Sequence, residues 1–315
     1  MENKSNNILK NYLVEPLNSD MGYYFKTSNI IYEKKTKYQN LEIFDIPMFG
    51  KILRLDGVFQ TSEKDEFLYH ELLAHVPGIA INGSKKALVI GGGDGGAIEE
   101  LLKYPNLEKV VMVELDEDVV TASKEYIPNI SNGAFDSSKL ELRFEDGIKY
   151  IQNTNESFDQ ILLDLTDPFG PSTELYTKEF YQTVSKKLSA QGVLSLHIES
   201  PISRPEVFAR IYWTLKSIFK YVTPMVNYVP MYGSLWGFAA ASNNTNVTDI
   251  TKETIISRLK NHNIQNLKFY NENTHFSVMA MPQYINEIIK EEKSPILSGT
   301  HLNIEKDLDT FYICK

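Results

Sequence analysis

The chain has 315 residues, 42 % of them apolar and 23 % charged, enough to build a large core in one or two domains. A net charge of −9 argues against a nucleic-acid partner, which a basic surface would attract, and suits a small cationic substrate. The single cysteine, Cys314, excludes an internal disulfide framework. No apolar run approaches the roughly 20 residues of a membrane span, and the opening Met1-Glu2-Asn3-Lys4-Ser5 is polar, so the expected location is cytoplasmic.

Residues 1 to about 20 show no clear periodicity. From Tyr23 onward short runs alternate with period two: Ile30–Tyr32, Leu41–Ile46, Lys51–Leu55 and Val58–Gln60, broken by Pro47, Gly50 and Asp56-Gly57. This pattern predicts half-buried antiparallel strands and a small N-terminal β domain over 1–61. Ser62 with Asp65 three residues later reads as a helix start. Phe67, Leu68, Leu72, Leu73 and Val76 follow at helical spacing, and Pro77-Gly78 predicts the end. Strand signals then fall at 87–90, 110–115, 140–144, 161–165 and 192–198, with helical stretches near 96–104, 117–126, 146–153 and 174–188. A helix over 205–221 and two late strands, 222–228 and 235–242, come next. Such alternation predicts a doubly wound, mostly parallel seven-stranded sheet. Five parallel strands followed by a late pair suit a methyltransferase-like Rossmann fold, here placed in a domain spanning 62–290. A helix near 251–261 lies in its mixed final part, and 291–315 reads as a tail.

The most informative stretch is Lys86 to Glu100, in which an apolar run meets a glycine cluster and then a helix-like pattern. Gly91, Gly93 and Gly96 have the spacing of a dinucleotide-type turn, where missing side chains let a ligand approach the backbone. Glu114 closes the next strand, where a carboxylate suits ribose hydroxyls. Asp94 changes the meaning of the loop. A pyrophosphate wants N–H groups and positive charge at a helix start, and no Lys or Arg stands between Gly91 and Lys103 to offset this acid. An NAD-type ligand is disfavoured, and so is any ligand that places its own carboxylate there. A cationic ligand with an adenosine part is favoured. Acids recur at later strand ends, as Asp146, Asp164 and Asp167. Asp146-Gly147 is also open to a capping role, and Asp167-Pro168 to a turn role. Asp164 sits in the apolar run Ile161–Leu165, where an unpartnered carboxylate is costly.

Gly91–Gly96, VELDEDV at 113–119, EDG at 145–147 and DLTDPFGP at 164–171 resemble the motif series of the polyamine aminopropyltransferases, the spermidine synthase family. The likeness runs from about 30 to 285. It includes Leu55-Asp56-Gly57, DEFLYHE at 65–71, LYTKEFY at 175–181, VPMY at 229–232, LWGFAAAS at 235–242 and KFYN at 268–271. The resemblance implies a donor, decarboxylated S-adenosylmethionine, that acts as co-substrate; no resident cofactor or metal is implied. It places Asp94 at the donor's ammonium end, Glu114 at the ribose, and Asp146 with Gly147 at the adenine. Gln39, His70, Gly91, Gly93 and Asp164 fall on further donor-site positions. By the same resemblance Tyr69, Asp164, Asp167 and Tyr232 surround the amine acceptor. Asp164, helped by Tyr69, is the expected acceptor of the amine's proton, and Asp167 the expected anchor of the acceptor's far charge. A homodimer or homotetramer is implied.

The acceptor half departs from the family pattern. Leu165-Thr166 stand where two small hydroxyl residues are usual, and His197 where a Gln is common. Tyr232-Gly233-Ser234 is one residue short, and Tyr23-Tyr24-Phe25 lies near the place of a Trp-containing opening. His197 is read as an acceptor contact. Putrescine, giving spermidine and 5′-methylthioadenosine, is the expected acceptor, with agmatine, cadaverine or spermidine as alternatives. A methyltransferase on the same fold is the competing reading, disfavoured by Asp94.

Overall fold

Residues 12–27, 29–168, 170–299 and 302 are described by the computed structural model, so Cys314 lies outside the described residues. The first element is a hairpin, β1 (Tyr12–Pro16) and β2 (Gly22–Lys26), whose first strand falls where the sequence shows no clear periodicity. It exists because Tyr23 and Phe25 point inward onto Phe59 and Phe49, with ring centroids 4.9–5.9 Å apart. Four antiparallel strands follow in chain order: β3 (Asn29–Lys35), β4 (Asn40–Ile46), β5 (Gly50–Leu55) and β6 (Val58–Ser62).

Helix α1 (Phe67–Ala80) leads into the large sheet. Ser62 does not cap it. Ser62 Oγ donates to Asp65 Oδ1 at 2.5 Å and accepts the Asp65 N–H at 3.3 Å, which closes the turn before the helix, and the helix itself begins at Phe67 with no side-chain cap. Nor does Pro77 end it. Proline removes only its own donor, and in a last turn the following residues still bond backward, as the Ile81 N–H does to the Pro77 carbonyl at 3.1 Å.

The remaining elements alternate: β7 (Lys86–Gly91), α2 (Gly96–Leu102), β8 (Lys109–Glu114), α3 (Glu117–Tyr126), α4 (Pro128–Ser131), β9 (Leu140–Phe144), α5 (Gly147–Asn153), β10 (Phe158–Asp164) and α6 (Lys178–Lys187). Then come β11 (Leu188–Glu199), α7 (Pro205–Lys216), β12 (Tyr221–Val229), β13 (Ser234–Ser242), α8 (Lys252–Asn261), α9 (Thr274–Ser277) and α10 (Gln283–Lys290). The helix expected over 174–188 is a 3₁₀ segment, Gly170–Tyr176, followed by α6, because Thr177 caps a new start by accepting the Phe180 N–H. The helix expected over 205–221 stops at Lys216, which frees Tyr221 to begin β12.

The seven strands lie in the order β12-β13-β11-β10-β7-β8-β9, with β7 to β11 parallel and β13 antiparallel to both neighbours. This is the methyltransferase-like arrangement expected from the sequence. Leu72, Leu73, Ala87 and Val89 pack on one face, and Leu88, Ile90, Ile151 and Phe180 on the other. Both faces are covered, which is why the central strands read as continuous apolar runs. Strand order reverses between β7 and β10, and a crevice opens beyond the carboxyl ends of the strands there. Residues 291–299, expected as tail, dock on the domain: Ile296 is fully buried against the second cluster. No described helix is long and apolar enough to cross a membrane.

Candidate active site

The glycine loop after β7 is shaped by close approach. Gly91 has φ +82°, and a Cβ on it would overlap the Asp164 carbonyl; the next N–H, of Gly92, bonds that carbonyl at 2.8 Å. Gly96 opens α2, and a side chain there would run into the His70 imidazole. The glycines thus bring the β7 loop, the end of β10 and α1 together. All thirteen residues singled out in the sequence line one cavity of about 380 Å³ at this junction: Gln39, Tyr69, His70, Gly91, Gly93, Asp94, Glu114, Asp146, Gly147, Asp164, Asp167, His197 and Tyr232.

One half of the cavity is strongly acidic. Asp94 Oδ1 accepts the Gly96 N–H at 2.9 Å, which leaves Oδ2 toward His70. His70 Nδ1 is 2.9 Å from Glu66 Oε2, and its Nε2 lies 3.6 Å from both Asp94 and Asp164. Burial opposes a charge on this imidazole, but Asp94, Asp164 and Glu66 outweigh it and hold the pKa well above the usual value. His70 is therefore an imidazolium among three carboxylates. His70, Asp94 and Asp164 bring potential ligand atoms within 4.8 Å of one another. Burial raises Asp94 despite that cation.

Glu114 accepts the Asp116 N–H at 2.9 Å, and burial pushes it up to about 7 against that bond. Gln39 is oriented by the same Asp116, whose Oδ2 accepts from Gln39 Nε2 at 3.0 Å and Thr36 Oγ1 at 2.7 Å. Asp146 has the capping role. It caps α5 through the Ile148 N–H at 2.8 Å and also faces the cavity. Gly147 has no room for a Cβ, which would sit 2.5 Å from Ile90 Cγ2.

The other half mixes aromatics with a second set of charges. Asp164 Oδ2 is buried and has no hydrogen-bond partner among the described residues. Tyr69 packs its ring 5.1 Å from Phe238 and 6.3 Å from both Tyr232 and His197. Burial, then Asp164, hold its phenol well above the usual pKa, so it stays protonated. Tyr232 donates to the Gln60 carbonyl at 2.7 Å. His197 is buried and stacked on Trp236; its Nε2 lies 2.6 Å from the Tyr176 hydroxyl and 3.1 Å from the Leu165 carbonyl. Burial lowers its pKa, which keeps it neutral.

Asp167 is less available than its place in the sequence suggests. Its Oδ2 accepts from Arg204 Nη1 at 2.8 Å, and the same nitrogen bonds Glu199 Oε2 at 2.9 Å. Sequence reading missed Arg204 and also Glu15, which reaches the cavity from β1 and accepts the Phe59 N–H at 2.5 Å. Burial, reinforced by Asp167, pushes Glu15 up to about 8 against that bond. The run of three aromatics Tyr23-Tyr24-Phe25 was the available signal for the hairpin that delivers it.

The chain is similar over most of its length to proteins of one known family. Residues 66–253 match the profile of the spermine/spermidine synthase domain, and 14–63 that of the spermidine synthase tetramerisation domain. The polyamine aminopropyltransferase of Nitrosomonas europaea is 42 % identical over 294 residues, covering 93 % of this chain and 90 % of that one. That of Sulfurisphaera tokodaii is 40 % identical over 267 residues, covering 84 % and 88 %. The spermidine synthase from Thermotoga maritima superposes with a TM-score of 0.82 at 32 % identity, over 89 % of this chain and 94 % of that one. A spermidine synthase in complex with the transition-state analogue AdoDATO gives 0.83 at 32 % identity, with the same coverage.

Proposed function

The chain belongs to the spermine/spermidine synthase family and is a polyamine aminopropyltransferase, and from that premise we propose its donor, acceptor and residue roles. The donor is decarboxylated S-adenosylmethionine, and the acceptor is putrescine, which becomes spermidine. The carrying observation is the buried Asp94 beside Asp164 and Glu66, with His70 the one cation among them. A group of three carboxylates and one imidazolium attracts a ligand with an ammonium and a sulfonium, and repels one that brings a carboxylate.

The chemistry asks for little beyond positioning. The amine lone pair attacks the aminopropyl carbon bound to the sulfonium, the C–S bond breaks toward sulfur, and 5′-methylthioadenosine leaves as a neutral thioether. No acid is needed for that leaving group. The nucleophile is the difficulty, because an amine of pKa near 10 is mostly protonated at neutral pH. Asp164 takes that proton through Oδ2, which accepts no hydrogen bond among the described residues and faces His70 Nε2 at 3.6 Å. Tyr69, kept as a phenol, accepts an N–H of the attacking amine through its hydroxyl oxygen and so orients the lone pair. Gln39 and Glu114 hold the ribose, Asp146 and Gly147 the adenine edge, and Gly91 and Gly93 let the donor reach the backbone. The acceptor's second charge meets Asp167 and Glu15, while Tyr232 and the neutral His197 line its methylene chain. Holding two cations in line is the main task of binding energy, and the surrounding carboxylates offset their repulsion. The tetramerisation-domain match at 14–63 supports a homo-oligomer, a dimer or tetramer.

The test is a product assay with decarboxylated or ordinary S-adenosylmethionine and a panel of putrescine, agmatine, cadaverine and spermidine. Methylthioadenosine formed from the decarboxylated donor only with an amine present, and fastest with putrescine, is expected. A faster reaction with another amine reassigns the acceptor. S-adenosylhomocysteine from the ordinary donor would overturn the reading in favour of a methyltransferase.

A further inference from the structure

Two stretches that stand out in the sequence, DEFLYHE at 65–71 and KFYN at 268–271, meet outside the cavity. Glu71 is 1 % exposed and does not line the cavity, although its neighbours Tyr69 and His70 do. Its carboxylate accepts three successive backbone N–H groups, 197 to 199 positions away. Lys268 donates to Oε1 at 2.7 Å, and Phe269 and Tyr270 donate to Oε2 at 2.9 and 2.7 Å. Residues 268–270 lie between α8 and α9 in neither helix nor strand, so the carboxylate satisfies donors that no ladder does. Three bonds to one anion make a strong and directional grip.

The gripping turn is itself held. Thr274 Oγ1 donates to the Phe269 carbonyl at 3.0 Å and accepts the Asn271 N–H at 2.8 Å. The Tyr270 hydroxyl is 2.7 Å from His275 Nδ1, and His275 Nε2 lies 3.0 Å from the Val247 carbonyl. Helix α1 has further ties that do not involve Glu71. Asn227 Nδ2 donates to the Leu68 carbonyl at 3.0 Å, Gln160 Nε2 to the Ala74 carbonyl at 2.8 Å, and Arg258 Nη1 to the Ile79 and Ala80 carbonyls at 2.6 and 2.8 Å. Those bonds act on backbone close to the helix axis and keep the helix on the sheet. Glu71 acts at the end of a long side chain, where resistance to rotation is greatest. A helix advances about 100° per residue, so Glu71 projects about 200° from Tyr69 and about 100° from His70.

We propose that Glu71 is a positioning residue: gripped by the 268–270 amides, it sets the rotation of α1 about its axis and so the places of Tyr69 and His70 in the cavity. Glu71 touches no reacting atom. The Tyr69 hydroxyl stands far from the helix axis, so a few degrees of rotation moves it by about 1 Å, a displacement that can cost about 100-fold in rate. The kinetic part of this inference rests on the aminopropyl-transfer reading above.

Glu71→Gln tests it in the full-length protein. The amide keeps the volume, offers one acceptor oxygen and turns an NH₂ group toward an N–H donor. It is expected to lower kcat about tenfold and to raise the Kd for decarboxylated S-adenosylmethionine about fivefold. Double-mutant cycles separate positioning from a general loss of structure. Added to Tyr69→Phe, Glu71→Gln should lower kcat less than about threefold further, and added to His70→Gln it should raise the donor Kd less than about twofold. The same factors in every background, or wild-type kcat and Kd in a folded Glu71→Gln, would overturn the proposal. If Glu71→Gln does not fold, Thr274→Val decides, because it loosens the 269–271 turn without touching α1. It should lower kcat about threefold in the wild-type background and leave it unchanged in Tyr69→Phe, and a wild-type kcat in Thr274→Val would then overturn the proposal. Histidine-labelled NMR reads the rotation without substrate. The His70 ring signals should shift in Glu71→Gln or Thr274→Val, while those of His262, which sits beyond the other end of α1 at Asn82, stay in place. Unmoved His70 signals would overturn the proposal. A wild-type protein that fails to transfer an aminopropyl group would count against the proposed function and leave Glu71 to be judged on the His70 signals.

Discussion

A carboxylate at position 94 repels a ligand carboxylate and attracts an ammonium, and this single side chain separates the readings open to a glycine-rich turn on this fold. The acids at 94, 114, 146 and 164 were legible because charged residues at the ends of apolar strands have few structural reasons to be there. What they touch was not legible. The Arg204–Asp167 and Arg204–Glu199 pairs join residues 37 and 5 positions apart, and no local pattern announces them. Asp164→Asn should lower turnover by about 10²- to 10⁴-fold, the usual contribution of a positioned proton acceptor, with the donor's Kd changed less than about threefold. Rapid-quench kinetics with calorimetric donor binding reads both quantities, and a near-wild-type rate would take the base role away from Asp164.

Elements were legible where periodicity was long. β7 to β11 and α3 fall close to where the apolar runs put them, whereas the boundaries that moved were set by contacts distant in sequence or by local caps. Hairpin β1–β2 owes its place to Phe49 and Phe59, α6 to the Thr177 cap, and 291–299 to the buried Ile296. Helices α1 and α2 meet at a residue with no side chain, since Gly96 leaves the space that His70 fills. Gly96→Ala should therefore displace the His70 ring and weaken donor binding at least about tenfold, with a loss of stability of about 1–3 kcal/mol from overpacking. Calorimetry with decarboxylated S-adenosylmethionine and urea unfolding check the two effects. Equal donor affinity in wild type and variant would mean that His70 does not organise the donor site.

Across the whole molecule buried acids have raised folded pKa values: Glu15 and Glu114, which line the cleft, rise to about 8 and about 7, and Glu199, buried behind it, to about 7, each mainly by burial, against an ordinary 4.5. The folded chain then holds protons that the unfolded chain has released, so stability falls as pH rises from about 5 to about 8. The raised His70 adds to the same trend above pH 6.5, because its favourable charge is lost only as pH climbs through the folded value. Thermal unfolding without ligand should show its highest Tm near pH 5–6 and a Tm several degrees lower near pH 8.5. A Tm that stays level or rises over that range would show that these carboxyls are not buried as described. A bound dication supplies the missing countercharge, so the Tm gain from donor should be larger at about pH 8 than at about pH 6. The same excess of acid is what makes the cleft a site for cations without carboxylates. Titration calorimetry of wild type and Asp94→Asn with decarboxylated and ordinary S-adenosylmethionine tests this most directly. Wild type should prefer the decarboxylated form by at least about 100-fold, and Asp94→Asn should shrink that preference to about tenfold or less. Equal affinity of the wild-type protein for the two forms, or a preference untouched by Asp94→Asn, would contradict the assignment of this cleft to a carboxylate-free cationic donor.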